Sequence, residues 1–136
     1  ILKEGAARLK DSYPHVAQIT GEKVKEIKFT DQGFIILTNK NSYTCAQAVV
    51  AVGYSDLITI KGLEEYIIPH KKSPAFKNRI QLVNNDHLVR PGLYVAGSLA
   101  GHRSQYAIAC GSGAVVATEI LTEWNNGEHA TVHDKL

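Results

Sequence analysis

The sequence predicts an α/β fold: a β-meander, a short parallel sheet next to it, and a C-terminal helix packed across that sheet. Three observations lead there. Two short runs, residues 48–52 and 93–96, are apolar without polar alternation, and a glycine (Gly53 or Gly97) closes each. Strands buried on both faces read this way. Before the first run lie β-rich segments separated by turn residues, and after the second comes a proline-free stretch with the composition of a buried helix.

The elements follow in order. "ILKEGAARLKDSY" places Leu2, Ala6, Leu9 and Tyr13 at helical spacing, and Pro14 ends it, so an amphipathic helix is expected first. "EKVKEIKFT" and "GFIILTNK" read as strands split by the turn Asp31-Gln32-Gly33. Asn39-Lys40-Asn41 is the next turn, and "SYTCAQAVVAVG" leads into the first buried strand. Residues 54–85 are less regular, and their basic stretch "HKKSPAFKNR" reads as a solvated loop. Asn84-Asn85-Asp86 is turn-like, residues 93–96 form the second buried strand, and a helix is expected over 104–124. Ser104 would cap that helix and Asn126-Gly127 would stop it, leaving "EHATVHDKL" as a loose tail.

Composition narrows the class. With 136 residues, 44% hydrophobic and 21% charged, the chain is expected to form one globular domain over 1–136. A net charge of +2 is too small to argue for nucleic acid or a membrane surface. No apolar run reaches the roughly 18 residues of a membrane span, and no signal-peptide pattern opens the chain. Cys45 and Cys110 are far apart and form no C-x-x-C pair, which fits a reducing cytoplasm. The chain starts at Ile1 and contains no Met, so it is expected to be part of a longer product.

The chemistry is expected where the two buried strands end. Glycine there has no Cβ and lets a ligand approach the main chain. The following helix start offers free N–H groups and a partial positive charge, suited to an anion or a carbonyl-rich ring. Gly111 and Gly113 each cost about 1 kcal/mol relative to Ala inside a helix, which implies a close neighbour. Cys110, Gly113, Ala114, Ala117, Ile120, Leu121 and Trp124 share one face, small first and large later. Spacing alone leaves tight helix-on-sheet packing and a bound ligand both open. Cys110 reads as a small buried hydrophobe. His102-Arg103-Ser104 reads equally as acid, anion clamp and cap or as a loop positioning Gln105. His129 and His133, with Asp134, have i, i+4 spacing but no helix signal, so a solvated tail is expected and no metal site.

"PGLYVAGS", followed by Gln105, Tyr106 and "AIACGSGA", resembles the C-terminal flavin-binding segment of thioredoxin-reductase-like flavoproteins, in the pyridine nucleotide–disulfide oxidoreductase superfamily. The meander followed by "AQAVVAVG" resembles the insert and returning strand of the same FAD domain. The resemblance covers nearly the whole chain in order. It implies a partial Rossmann-like FAD/NAD(P)-binding domain and an oxidoreductase in which flavin carries the electrons. It also implies FAD contacts at Gly53, Gly97, Ser98, Gln105, Tyr106 and Ala107, with no catalytic side chain assigned. An NAD(P)H or protein electron donor is left unspecified, and a homodimer is compatible.

Departures from the pattern matter as much. Ser98 stands where the family has Asp, Ser104 where it has Arg (Arg103 lies one place earlier), and Val52 where it has Thr. The G-x-G-x-x-G fingerprint that seats the FAD pyrophosphate is not among these residues. Only residues 54–85 separate the two strand ends, where relatives insert a nicotinamide domain often carrying C-x-x-C. The pattern most resembles small single-domain relatives, and FAD binding by these residues alone is expected to be weak or absent. The alternative is a non-catalytic binding or interaction module that retains the fold.

Overall fold

The computed structural model describes residues 2–53 and 59–130. Alternating apolar positions and two tight turns build the meander: β1 (Val24–Thr30), β2 (Gly33–Thr38) and β3 (Ser42–Cys45) pair antiparallel in chain order. Gly33 makes the first turn possible. Its φ is +137°, and a Cβ there would stand 2.2 Å from the Cys45 carbonyl oxygen. The second hairpin is pinned by Glu22, whose carboxylate accepts bonds from Thr38 Oγ1, Asn41 Nδ2 and the Tyr43 hydroxyl. The Thr38 bond, more than the others, holds the Glu22 carboxyl below its ordinary value.

The two apolar runs form neighbouring parallel strands. β4 (Ala48–Val50) pairs with β8 (Leu93–Val95) in the register Ala48↔Leu93, Val49↔Tyr94, Val50↔Val95. Between them in sequence lie β5 (Ile67–Pro69) and β6 (Ile80–Leu82), an antiparallel pair, and then β7 (Leu88–Arg90), which joins the far side of β8. The order β4-β8-β7 leaves one edge of β4 open among the described residues.

Period-two alternation divides the burial. Val50, Leu93 and Val95 face the main core, with Ile27, Phe34, Leu63, Leu82 and Leu99. Tyr94 and Ala96 face the opposite way, against Val116 and the half-buried Ile120 of α2 (Tyr106–Trp124). Eight side chains make the first cluster and three the second. At about 1.5–3 kcal/mol per fully buried large apolar side chain, the meander side carries most of the stabilisation. Polar ties therefore matter more for α2. Ser112 Oγ accepts the Gly97 N–H at 2.7 Å, and Glu123 Oε2 accepts the Tyr94 hydroxyl at 2.9 Å and Gln47 Nε2 at 2.7 Å. These bonds run α2 back along β8, its start near the strand's C-terminal end.

Several expectations are corrected. The β4 ladder stops at Val50 rather than 52, although the Ala96 N–H still reaches the Val50 carbonyl at 3.0 Å. α2 starts at Tyr106, not Ser104, with Gln105 as its cap residue and no side-chain cap bond. It stops where expected: Asn126 and Gly127 turn left-handed, and the Gly127 N–H bonds the Thr122 carbonyl at 2.9 Å. Its buried line is Ser112 and Val116, not the face through Cys110, Gly113, Ala114 and Ala117, all of which are exposed, as are Leu121 and Trp124. No atom lies within 4 Å of a Cβ built at Gly111 or Gly113. A helix apolar almost all round has no single inward face to read, so its polar ties choose the rotation.

The first helix, α1 (Leu2–Ser12), is present, but residues 3–12 are all exposed, including Ala6 and Leu9. The stretch 59–85 is more ordered than its irregular sequence implied. It supplies Leu63, Leu82 and a buried His70, while Lys71, Lys72 and Lys77 are exposed as expected of a solvated loop. His133, Asp134 and Tyr54 lie outside the described residues.

Candidate functional site

Parallel pairing brings the C-terminal ends of β4 and β8 out side by side. On the β8 side the chain enters a one-turn 3-10 segment, Gly97–Ala100, reverses at Gly101, and reaches the start of α2 through His102–Gln105. Gly53 and Gly97 both have φ of +72°, and each has open space where a Cβ would stand. That left-handed conformation suits glycine, and it bares the main chain at both strand ends.

Ser98, Arg103, Ser104, Gln105, Tyr106 and Ala109 line a shallow depression of about 220 Å³ beside this backbone. Ser98 is buried and its carbonyl is occupied, accepting from His70 Nε2 at 3.0 Å and from the Gly101 N–H at 3.0 Å. Tyr106 is 71% exposed, and its phenol is raised above the ordinary value first by a hydrogen bond with the Cys110 thiol. Ala107 is exposed on the first turn of α2. The structure therefore gathers Gly97, Ser98, Gln105, Tyr106 and Ala107 around one helix start. Of these only Ser98, Gln105 and Tyr106 line the depression; Gly97 and Ala107 do not, nor does Gly53, which ends the adjacent strand.

Behind this surface lie groups that sequence reasoning missed. His87 is buried and donates from Nδ1 to the Val95 carbonyl at 2.9 Å. His102 turns inward, its Nε2 3.3 Å from His87 Nε2, rather than outward as an acid. Asn84 donates to the Leu82 and Ala100 carbonyls and accepts the His87 N–H at 3.0 Å. The Asn-Asn-Asp-His turn just before an apolar strand was the available signal, since Asp, Asn and His tolerate left-handed backbone better than most residues.

At the other end of α2, burial and then the Glu123 carboxylate push the Tyr94 phenol up to about 12. A larger groove of about 680 Å³, lined by Thr30, Asp31, Phe34, Cys45 and Ala46, runs along the meander near the start of β4. It lies away from both glycine strand ends. Burial pushes the Cys45 thiol up, away from the reactive thiolate, and Cys45 and Cys110 are both free thiols. Among the described residues no group of three or more His, Cys, Asp or Glu could hold a metal ion, and no helix is long and apolar enough to cross a membrane. Comparison with protein-family models, with curated proteins and with solved structures finds no match to this chain.

Proposed function

We propose that this chain is the C-terminal, Rossmann-like part of the FAD-binding domain of a thioredoxin-reductase-like flavoprotein oxidoreductase. One observation carries the reading: β4 and β8 are parallel neighbours in register, so both glycine strand ends open on the same side of the sheet. Ligands of open α/β sheets sit beyond the carboxyl ends of such strands. The residues present fit a flavin's needs on that side. Gly97 has open space where a Cβ would stand, although its N–H is given to Ser112 Oγ, and the first N–H groups of α2 have no side-chain cap. Gly97, Ser98, Gln105, Tyr106 and Ala107 would hold and orient the ring edge and its ribityl chain, with Gly53 toward the adenosine end. When bound, FAD would supply the electron-carrying chemistry, and this chain would tune it by hydrogen bonds. The open edge of β4 and the bare flank of α2 leave room for a further strand and helix, which is where the reading seats the fingerprint. That flank, with Leu121 39% and Trp124 68% exposed, also favours a second reading: a non-catalytic interaction module.

The test is flavin titration of the chain followed by backbone NMR. The expected result is weak binding, with shifts confined to Gly53, Gly97, Ser98 and 105–107. Shifts clustered on the meander groove, or tight stoichiometric binding by the chain alone, would remove the proposal.

A further inference from the structure

The turn between β6 and β7 is built on two left-handed residues. Asn85 and Leu88 exchange backbone hydrogen bonds at 2.9 and 3.0 Å around Asp86, with φ +47°, and His87, with φ +74°. Neither central residue is glycine, so surrounding contacts must hold that conformation. His87 supplies them. Its N–H bonds Asn84 Oδ1, its carbonyl accepts the Val95 N–H at 2.9 Å, and its ring bonds the Val95 carbonyl. Ser112 Oγ, the acceptor of the Gly97 N–H, lies 3.4 Å from His87 Nδ1. One buried ring thus joins the turn, the end of β8, Gly97 and α2.

The partners settle where the protons are. A carbonyl can only accept, so His87 Nδ1 carries hydrogen and Nε2 of the neutral ring is a lone pair. The 3.3 Å contact with His102 is then a hydrogen bond only if His102 Nε2 is the donor. The same logic makes His70 a donor at Nε2 to Ser98, while its Nδ1 accepts the Lys72 N–H at 3.2 Å. A first proton, taken on His102, leaves the contact in place but puts a charge where burial and the neighbouring His87, Lys72 and His70 disfavour it. A second proton puts two N–H groups against each other and parts the rings.

We propose that His87 and His102 form an acid-sensitive latch, which holds the Gly97-Ser98 turn and the start of α2 and releases them as the pair takes up protons. The surroundings resist charge. Burial above all, then His87, Lys72 and His70, lower the His102 imidazole from its ordinary value of 6.5, and Asp86 alone works the other way. The sign follows by linkage. The opened chain binds protons more readily than the latched one, so the latch is at full strength above the ordinary histidine value and weakens as pH falls through the lowered one.

Amide hydrogen exchange at Gly97 and Ser98, corrected for intrinsic rate, reads the latch directly in the full chain. Wild-type exchange is expected to speed up severalfold as pH falls from about 7.5 to about 5.5, the direction set by the lowered proton affinity of His102. In His102→Gln, whose amide still offers a donor to His87 Nε2 but does not titrate, the change is expected to stay within about twofold. Identical pH profiles in the two proteins would overturn the latch. Ring nitrogen NMR of the wild type gives a second reading that needs no variant. His87 is expected to carry its proton on Nδ1 at neutral pH, and the His102 ring to gain its second proton together with the loss of protection at residues 97 and 98. A neutral His87 protonated on Nε2, or ring and amide changes at separate pH values, would also overturn it.

Discussion

Gly62 shows how far one missing side chain can steer a segment. The Ile27 N–H bonds the Lys61 carbonyl and the Lys61 N–H bonds the Lys25 carbonyl, both at 2.9 Å, so the residues before Leu63 lie against β1. Gly62 has φ of +92°, and a Cβ there would stand 2.1 Å from the Ile27 carbonyl oxygen. Left-handed backbone costs an L-residue roughly 1–2 kcal/mol before any clash is counted. Gly62→Ala is expected to destabilise the fold by about 2 kcal/mol or more, read as a lower urea midpoint at unchanged slope. An unchanged midpoint would mean that the 60–62 segment does not dock as described. Nothing in the sequence singles out this glycine. Its partner is 35 positions away, and no local pattern reports a contact of that range. Glu22 is similar, since the three side chains that bond its carboxylate lie 16 to 21 positions on.

At the scale of elements, α2 separates existence from orientation. Its length and its Asn126-Gly127 stop are local properties, and both are legible. Which side it buries is decided by Ser112 on Gly97 and Glu123 on Tyr94, bonds that no periodicity encodes. Gly113 now has a definite expectation. It is exposed, with no atom within 4 Å of a Cβ, so Gly113→Leu is expected to stabilise by roughly 0.7 kcal/mol through helix propensity alone. A thermal melt of the chain checks it. A lower melting temperature would restore the close approach that the glycines first implied, supplied by something packed on that flank. The strands behave like the helix: their pairing at the hydrophobic runs was readable, but the ladder of β4 is shorter than its apolar run because only 48–50 face β8 in register.

For the whole molecule, the proposed site offers little enclosure among the described residues. The depression beside Gly97 holds about 220 Å³, less than the roughly 300–1,000 Å³ of ordinary ligand pockets. The purified chain is therefore expected to be colourless and to leave FAD fluorescence nearly unquenched on titration. Tight, stoichiometric yellow binding would place the site elsewhere. The sequence by itself determined the α/β class, the meander turns, the buried strand at 93–96 and the helix stop, because these rest on short-range steric preferences and on apolar runs that leave water. The run at 48–52, expected to be buried as well, buries only Val50 and leaves Val49 45% and Val52 54% exposed, because β4 is an edge strand among the described residues. Tertiary structure alone decided that the two glycine ends share one side of the sheet, that α2 turns Ser112 and Val116 inward, and that His70, His87 and His102 gather behind Ser98. Those outcomes depend on hydrogen bonds and packing between distant segments, whose partners exist only once the chain has closed on itself.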